Sequence, residues 1–151
     1  MLILDRFLDM ASVCVDASLV LMLLLPDENN ERVDALWSEW QREHTDLVAP
    51  PLLYAEVPSV IRAAVYFDRI TSEEGNSAFE TFCDMSIRVN ARPDLHIISW
   101  ELALRHSRPR VYDAFYLAVA QAEGCDLWTG DRRLSNAVSL SWVRWIGGSE
   151  R

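Results

Sequence analysis

One segment restricts the fold more than any other part of the chain. It reads Val111-Tyr-Asp-Ala-Phe-Tyr-Leu-Ala-Val-Ala-Gln-Ala-Glu-Gly-Cys-Asp-Leu-Trp-Thr-Gly-Asp131. The spacing predicts a helix over 112–123, with Ala114, Leu117, Ala118 and Gln121 on one face and Phe115, Val119 and Ala122 beside it. A helix that is apolar over most of its girth has to be buried by its neighbours. Gly124 is the stop signal, because glycine takes the left-handed conformation that helix ends favour. Residues 127–129 then read as a short buried strand.

Two acids bracket this unit. Asp113 lies in the first helical turn, where the helix dipole stabilises a carboxylate. Asp131 follows the strand and can serve as N-cap for a further helix over 132–138. Those local roles are sufficient for either acid alone. Their arrangement suggests more, because parallel α/β folds bind ligands at the carboxyl ends of their strands. Asp131 belongs at that edge, and a helix opening there brings Asp113 to it.

At 151 residues, half of them hydrophobic, the chain is expected to form one domain with a core over about 12–146 and a mobile tail over 147–151. The most apolar run, 19–25, is too short to cross a bilayer. Asp5 and Asp9 interrupt the apolar N-terminus and no basic segment precedes them, so it does not read as a signal peptide. A cytoplasmic protein is expected. Cys14, Cys83 and Cys125 are isolated and odd in number, which fits buried reduced thiols rather than a disulfide framework or a zinc site. His44, His96 and His106 are scattered and give little support to a histidine-based site. The net charge is −9. That argues against a broad basic surface gripping nucleic acid, but not against a nuclease whose carboxylates hold divalent cations. All 14 basic residues are arginine. The absence of lysine excludes a Walker-type phosphate loop and a Schiff-base lysine.

In chain order, 12–16 is a β-branched run ending in Asp16-Ala-Ser18, a first buried strand with Asp16 at its carboxyl end or capping the segment after it. Residues 19–25 continue as an apolar turn or short helix. Residues 30–43 form an amphipathic helix facing Val33, Leu36, Trp37 and Trp40 inward. Residues 45–49 read as a second strand, and Pro50-Pro51 opens the next helix. That helix carries Glu56 among apolar residues, where an ionised carboxylate needs a cation or strong donors. An ion pair with Arg62 or Arg69 would meet that need. Pro58 predicts a kink, or a restart near Ser59. Thr71-Ser-Glu-Glu74 is a capping box, opening a helix to about Met85 that buries Phe79, Phe82 and Cys83. Residues 95–99 read as a third strand holding His96, 100–106 as a helix, and 141–146 as a last, edge strand.

Strands alternating with helices imply a mainly parallel central sheet flanked by helices on both faces. Four acids then stand out: Asp16, Glu56, Asp113 and Asp131. Carboxylate oxygens suit Mg²⁺, or Mn²⁺, which keep several waters and reach a substrate's phosphates. Clustered unpaired acids repel one another, so such a set is costly without a cation.

Val-Asp16-Ala-Ser, Pro-Pro-Leu-Leu-Tyr-Ala-Glu56-Val, Val-Tyr-Asp113-Ala-Phe-Tyr-Leu-Ala-Val-Ala and Leu-Trp-Thr-Gly-Asp131-Arg-Arg-Leu resemble, in order and spacing, the motifs of PIN-domain ribonucleases. The most similar group is the VapC-like toxins of toxin–antitoxin pairs. The resemblance runs from about Ser12 to Ile146. It implies a PIN-like fold and a metal-dependent endoribonuclease in which water activated by the metal attacks a phosphodiester. Asp16 and Asp113 would be direct metal ligands, with Glu56 and Asp131 completing the site or holding its water. Ser18 and Thr129 would orient the carboxylates. The resemblance also implies a homodimer silenced by a cognate antitoxin. Pro58, two residues after Glu56, departs from the family's uninterrupted helix. With no lysine, contact to the RNA backbone falls to arginines; Arg105, Arg108, Arg110, Arg132 and Arg133 flank the later acids, though each could equally be a solvated surface charge.

Two other readings stay open on sequence alone. One is a non-catalytic PIN-like module that binds RNA or a protein. The other is a phosphohydrolase with an aspartyl nucleophile, disfavoured because such enzymes carry Asp-x-Asp-x-Thr after the first strand and employ a lysine.

Overall fold

The computed structural model describes residues 11–147. The expected reading of the extreme N-terminus and most of the expected mobile tail lie outside the described residues. Among the described residues five strands form one sheet: β1 (Ser12–Val15), β2 (Asp46–Ala49), β3 (Arg88–Val89), β4 (Asp126–Thr129) and β5 (Val143–Trp145). Their order is β3-β2-β1-β4-β5 and every pairing is parallel. Among the described residues seven helices accompany them: α1 (Ala17–Leu24), α2 (Glu31–Arg42), α3 (Leu53–Tyr66), α4 (Ser72–Asp84), α5 (Leu95–Arg105), α6 (Tyr112–Glu123) and α7 (Arg132–Val138).

β1 lies at the centre, and its residues show why both faces are covered. Successive strand side chains point to opposite faces. Cys14 reaches α6, its thiol donating to the Tyr116 carbonyl at 3.5 Å, while Val13 and Val15 point away and are buried as well. The strand is therefore apolar on both sides, as a parallel sheet requires. On α6, Ala114 and the unbroken run from Tyr116 to Ala120 are buried. The helix ends where expected, with Gly124 at φ 65°. Gln121 and Ala122, expected in the buried stripe, are exposed.

Most elements match the sequence pattern. Asn30 caps α2 through Arg32 and Val33 N–H, and the Thr71–Glu74 capping box is complete. Other expectations need correction. Residues 95–99 are the first turn and a half of α5, not a strand. Leu95, Ser99, Leu102 and Ala103 are its buried residues, a helical spacing, and Ser99 Oγ donates to the Leu95 carbonyl one turn back at 2.6 Å. The third strand is instead the two-residue β3, which pairs with the end of β2. Pro58 lies inside α3, which continues through it to Tyr66 without a restart. Phe79 is 44 % exposed and Cys83 is exposed; on α4, Gly75, Ala78 and Phe82 face the core instead. Among the described residues no helix is long and apolar enough to cross a membrane.

Candidate active site

A parallel sheet places all its strand carboxyl ends on one edge. Asp16 follows β1, Pro50 and Pro51 lead from β2 into α3, and Gly130-Asp131 follows β4. The acids at this edge are therefore delivered by different strands and their following helices.

Asp16 is the centre of the hydrogen bonding. It caps α1, its Oδ1 accepting from Leu19 N–H at 2.9 Å and from the Ser18 hydroxyl at 2.7 Å. The Thr129 hydroxyl donates to Oδ2. Ser18 Oγ in turn accepts from Gly130 N–H at 2.9 Å, and Thr129 Oγ1 from Asp131 N–H at 2.9 Å. Two hydroxyls thus join the β1–α1 turn to the β4–α7 turn through one carboxylate. Asp16 is only 5 % exposed. Burial pushes its carboxyl up to about 6, against the opposing pull of Thr129, Ser18 and the Leu19 amide, and the Asp113 charge adds to the rise.

Glu56 lies in the first turn of α3, half-buried. Among the described residues neither Arg62 nor Arg69 pairs with it. Arg69 binds Asp27 at 2.8 Å, and Arg62 stacks over Tyr66. Its partner is the Tyr116 hydroxyl, which donates to Oε1 at 3.2 Å. Burial raises the Glu56 carboxyl, Tyr116 opposes the rise, and the Asp113 and Asp16 charges reinforce it. Burial and the same two carboxylates, Glu56 before Asp16, also hold the Tyr116 phenol firmly protonated. Asp113, at the start of α6, pairs with Arg108, Nη2 to Oδ2 at 3.5 Å.

Asp16, Glu56 and Asp113 therefore lie near enough to repel one another. Asp131 is occupied differently: its Oδ1 caps α7, accepting from Arg133 N–H at 2.8 Å and Leu134 N–H at 3.3 Å. Among the described residues no three His, Cys, Asp or Glu side chains converge as a ready-made metal cage. Two of the four acids are turned toward other partners, Asp113 to a guanidinium and Asp131 to backbone amides. The donor set nevertheless fits a hard cation of the Mg²⁺ type, which is commonly held by one or two carboxylates and otherwise by water and substrate phosphate. The neighbouring negative charges and the raised affinity of Asp16 and Glu56 for a proton mark a place where a cation is favoured.

Of the five arginines singled out in sequence, Arg108 is mostly buried against Asp113, and its Nε has no hydrogen-bond partner among the described residues. Arg132 stacks on Trp145, ring centroid to Cζ 5.1 Å. Arg105, Arg110 and Arg133 are exposed. Sequence reasoning assigned no role to Tyr116. The available signal was a phenol three residues after Asp113, within a helical run whose other buried residues are small or aliphatic.

Comparison with known proteins places these features in a family. The PIN domain profile matches residues 13–139. The chain is 32 % identical over 124 residues to ribonuclease VapC9 of Mycobacterium tuberculosis, covering 82 % of this chain and 89 % of that one. Its fold is similar to Mycobacterium tuberculosis VapC20, described as a sarcin–ricin loop cleaving toxin, with TM-score 0.61, 20 % identity, and coverage of 87 % of this chain and 98 % of the other. A toxin–antitoxin complex from Klebsiella pneumoniae is similar with TM-score 0.61 and 14 % identity over 89 % of this chain and 97 % of that one. A buried, doubly hydroxyl-bonded aspartate at a strand end, two further acids brought to the same edge, and this span of similarity agree: the chain belongs to the PIN domain family, among relatives that are VapC ribonucleases.

Proposed function

We propose that the protein is a Mg²⁺- or Mn²⁺-dependent endoribonuclease, the toxin of a toxin–antitoxin pair, acting in the cytoplasm as a homodimer held silent by a cognate antitoxin. The observation that carries the catalytic part is the mutual placement of Asp16, Glu56 and Asp113 at the sheet's carboxyl edge. Asp16 and Asp113 would hold the cation, and Asp131 would complete the site after yielding its hold on α7 or through water. A bound divalent cation supplies Lewis acidity toward a phosphodiester oxygen and toward water.

The chain's own residues do the rest. Ser18 and Thr129 fix both oxygens of Asp16, so the carboxylate faces one direction. Tyr116 holds Glu56 Oε1, leaving Oε2 to take a proton from the attacking water, a task helped by its raised proton affinity. Arg108 lies where it can neutralise a phosphate oxygen once Asp113 turns to the cation. A homodimer is supported by Ile97, Trp100 and Leu104, which lie one turn apart along α5 and are 53 %, 61 % and 65 % exposed.

The test is cleavage of RNA by the purified protein with Mg²⁺, with Mn²⁺ and with EDTA, using Asp113→Asn as control. Activity that needs both the cation and Asp113 is expected, together with a cation-dependent rise in Tm. The absence of a preformed three-acid cage among the described residues favours one competing reading, a non-catalytic module that binds RNA. Metal-independent RNA binding without cleavage by a folded protein would select it.

A further inference from the structure

We propose that the cleft beside Gly130 is a nucleobase subsite, in which Trp145 and the Arg132 guanidinium stacked on it receive a base of single-stranded RNA next to the phosphate held at the acids. The proposal rests on the ribonuclease reading above and extends it to substrate recognition. The cleft measures about 550 Å³ and lies between the α1–α2 connection, the β4–α7 turn and the end of β5. Met22, Asn30, Glu31, Arg32, Gly130 and Trp145 are among the residues that line it, and Arg132 adjoins it through the Trp145 ring.

Its position follows from one shared wall. Gly130 N–H donates to Ser18 Oγ at 2.9 Å, and Ser18 donates to Asp16 at 2.7 Å. Two hydrogen bonds therefore separate the cleft from the central carboxylate of the site. That wall has to be thin. A Cβ at Gly130 would come within 2.5 Å of Met22 Sδ, which lines the cleft, and 3.3 Å of Ser18 Oγ, which binds Asp16, so Gly130 is the contact between the two spaces.

The lining chemistry suits a base better than an apolar ligand. Trp145 is only partly buried, and Arg132 Cζ lies 5.1 Å from its ring centroid. A guanidinium stacked on an indole presents a flat cationic plane, and bases of unpaired RNA stack on aromatic and arginine planes. From the opposite side Arg32 crosses to the Gly147 carbonyl, Nη1 to O 3.0 Å. Among the described residues neither Arg32 nor Arg132 forms an ion pair with a carboxylate. In a chain with 23 acids and a net charge of −9, the cleft lining holds one acid, Glu31, against Arg32 in the lining and Arg132 on the Trp145 ring, and these two cations supply the charge complement that the flanking phosphates need.

The experiment measures binding of a short random-sequence single-stranded RNA pool in EDTA, in the cleavage-deficient Asp113→Asn background. Trp145→Leu and Arg132→Gln should each weaken binding about tenfold, and Trp145→Phe, which keeps a ring, should stay within about threefold of the parent. In the otherwise unsubstituted protein with Mn²⁺, sequencing of the cleaved ends should show a base preference beside the cut that Trp145→Leu flattens and Trp145→Phe keeps. A merely structural Trp145 would lower yield or Tm without altering that preference. If Trp145→Leu does not fold, Arg132→Gln decides, since its side chain is exposed. RNA binding and cut-site preference unchanged in folded variants overturn the subsite alone. No RNA binding by Asp113→Asn and no cleavage by the parent overturn the ribonuclease reading, and the subsite with it.

Discussion

Asp16 is nearly inaccessible, yet it is a carboxylate with no arginine beside it among the described residues. Its carboxyl binds a proton up to about pH 6 in the folded chain, against an ordinary 3.8. A folded state that holds its proton more tightly than the unfolded state is favoured where that proton is bound. The contribution is therefore complete below pH 3.8 and is lost as the pH rises through 6, by about 3 kcal/mol in all. The raised Glu56 carboxyl acts in the same direction. Metal-free protein should accordingly lose stability between pH 4 and about 6.5 relative to Asp16→Asn, whose denaturant midpoint should vary less over that range. Parallel curves for the two proteins would remove the proposed burial cost. Thr129 tests the support of the same carboxylate. Thr129→Val leaves Asp16 Oδ2 and the Asp131 N–H each short of a partner. It should cost about 1–3 kcal/mol of stability and lower metal-dependent cleavage about 10–100-fold. Asp16 and Thr129 were legible as residues because each stands beside a strand end. The pairing of Glu56 with Tyr116 was not, because 60 positions separate them and no local pattern encodes that contact.

The elements were legible where local chemistry and periodicity agreed. Asn30, the Thr71–Glu74 box and Gly124 mark helix ends by groups that meet backbone donors or adopt the required φ. Gly124→Ala meets no atom within 4 Å, so its cost is conformational alone, about 1–2 kcal/mol. A fall in Tm of a few degrees in thermal unfolding is expected, and no change would mean that the helix end relaxes. Residues 95–99 were misread because Leu-His-Ile-Ile-Ser is too short to separate a strand from a buried helical turn. The residues that decide the matter, Leu102 and Ala103, lie beyond that window. At Pro58 the alternative of a restart near Ser59 fails for another reason. Proline removes one hydrogen bond near the start of α3, but Val57, Ile61 and Ala64 are buried on either side of it. Burial of these residues outweighs the local loss.

At the scale of the molecule, α5 and α6 pack on each other, while the other side of α5 leaves Ile97, Trp100 and Leu104 in solvent. If that stripe joins two copies, Trp100→Glu should convert a dimer to a monomer by light scattering with the fold intact; an unchanged mass would place the contact elsewhere. The acid site shows the same division between local and global causes. The sequence by itself determined that the chain alternates strands with helices, that α6 is buried, and that acids follow the first and fourth strands, because hydrophobic period, capping groups and glycine act over a few residues. Only the tertiary structure decided that β1 lies between β2 and β4, so that Asp16 meets Thr129 and Asp113 approaches Glu56. It alone turned Asp113 to Arg108 and Asp131 to the start of α7. Those outcomes depend on sheet order and on competition for each carboxylate among distant partners, and the free energy of that competition exists only once the chain has folded.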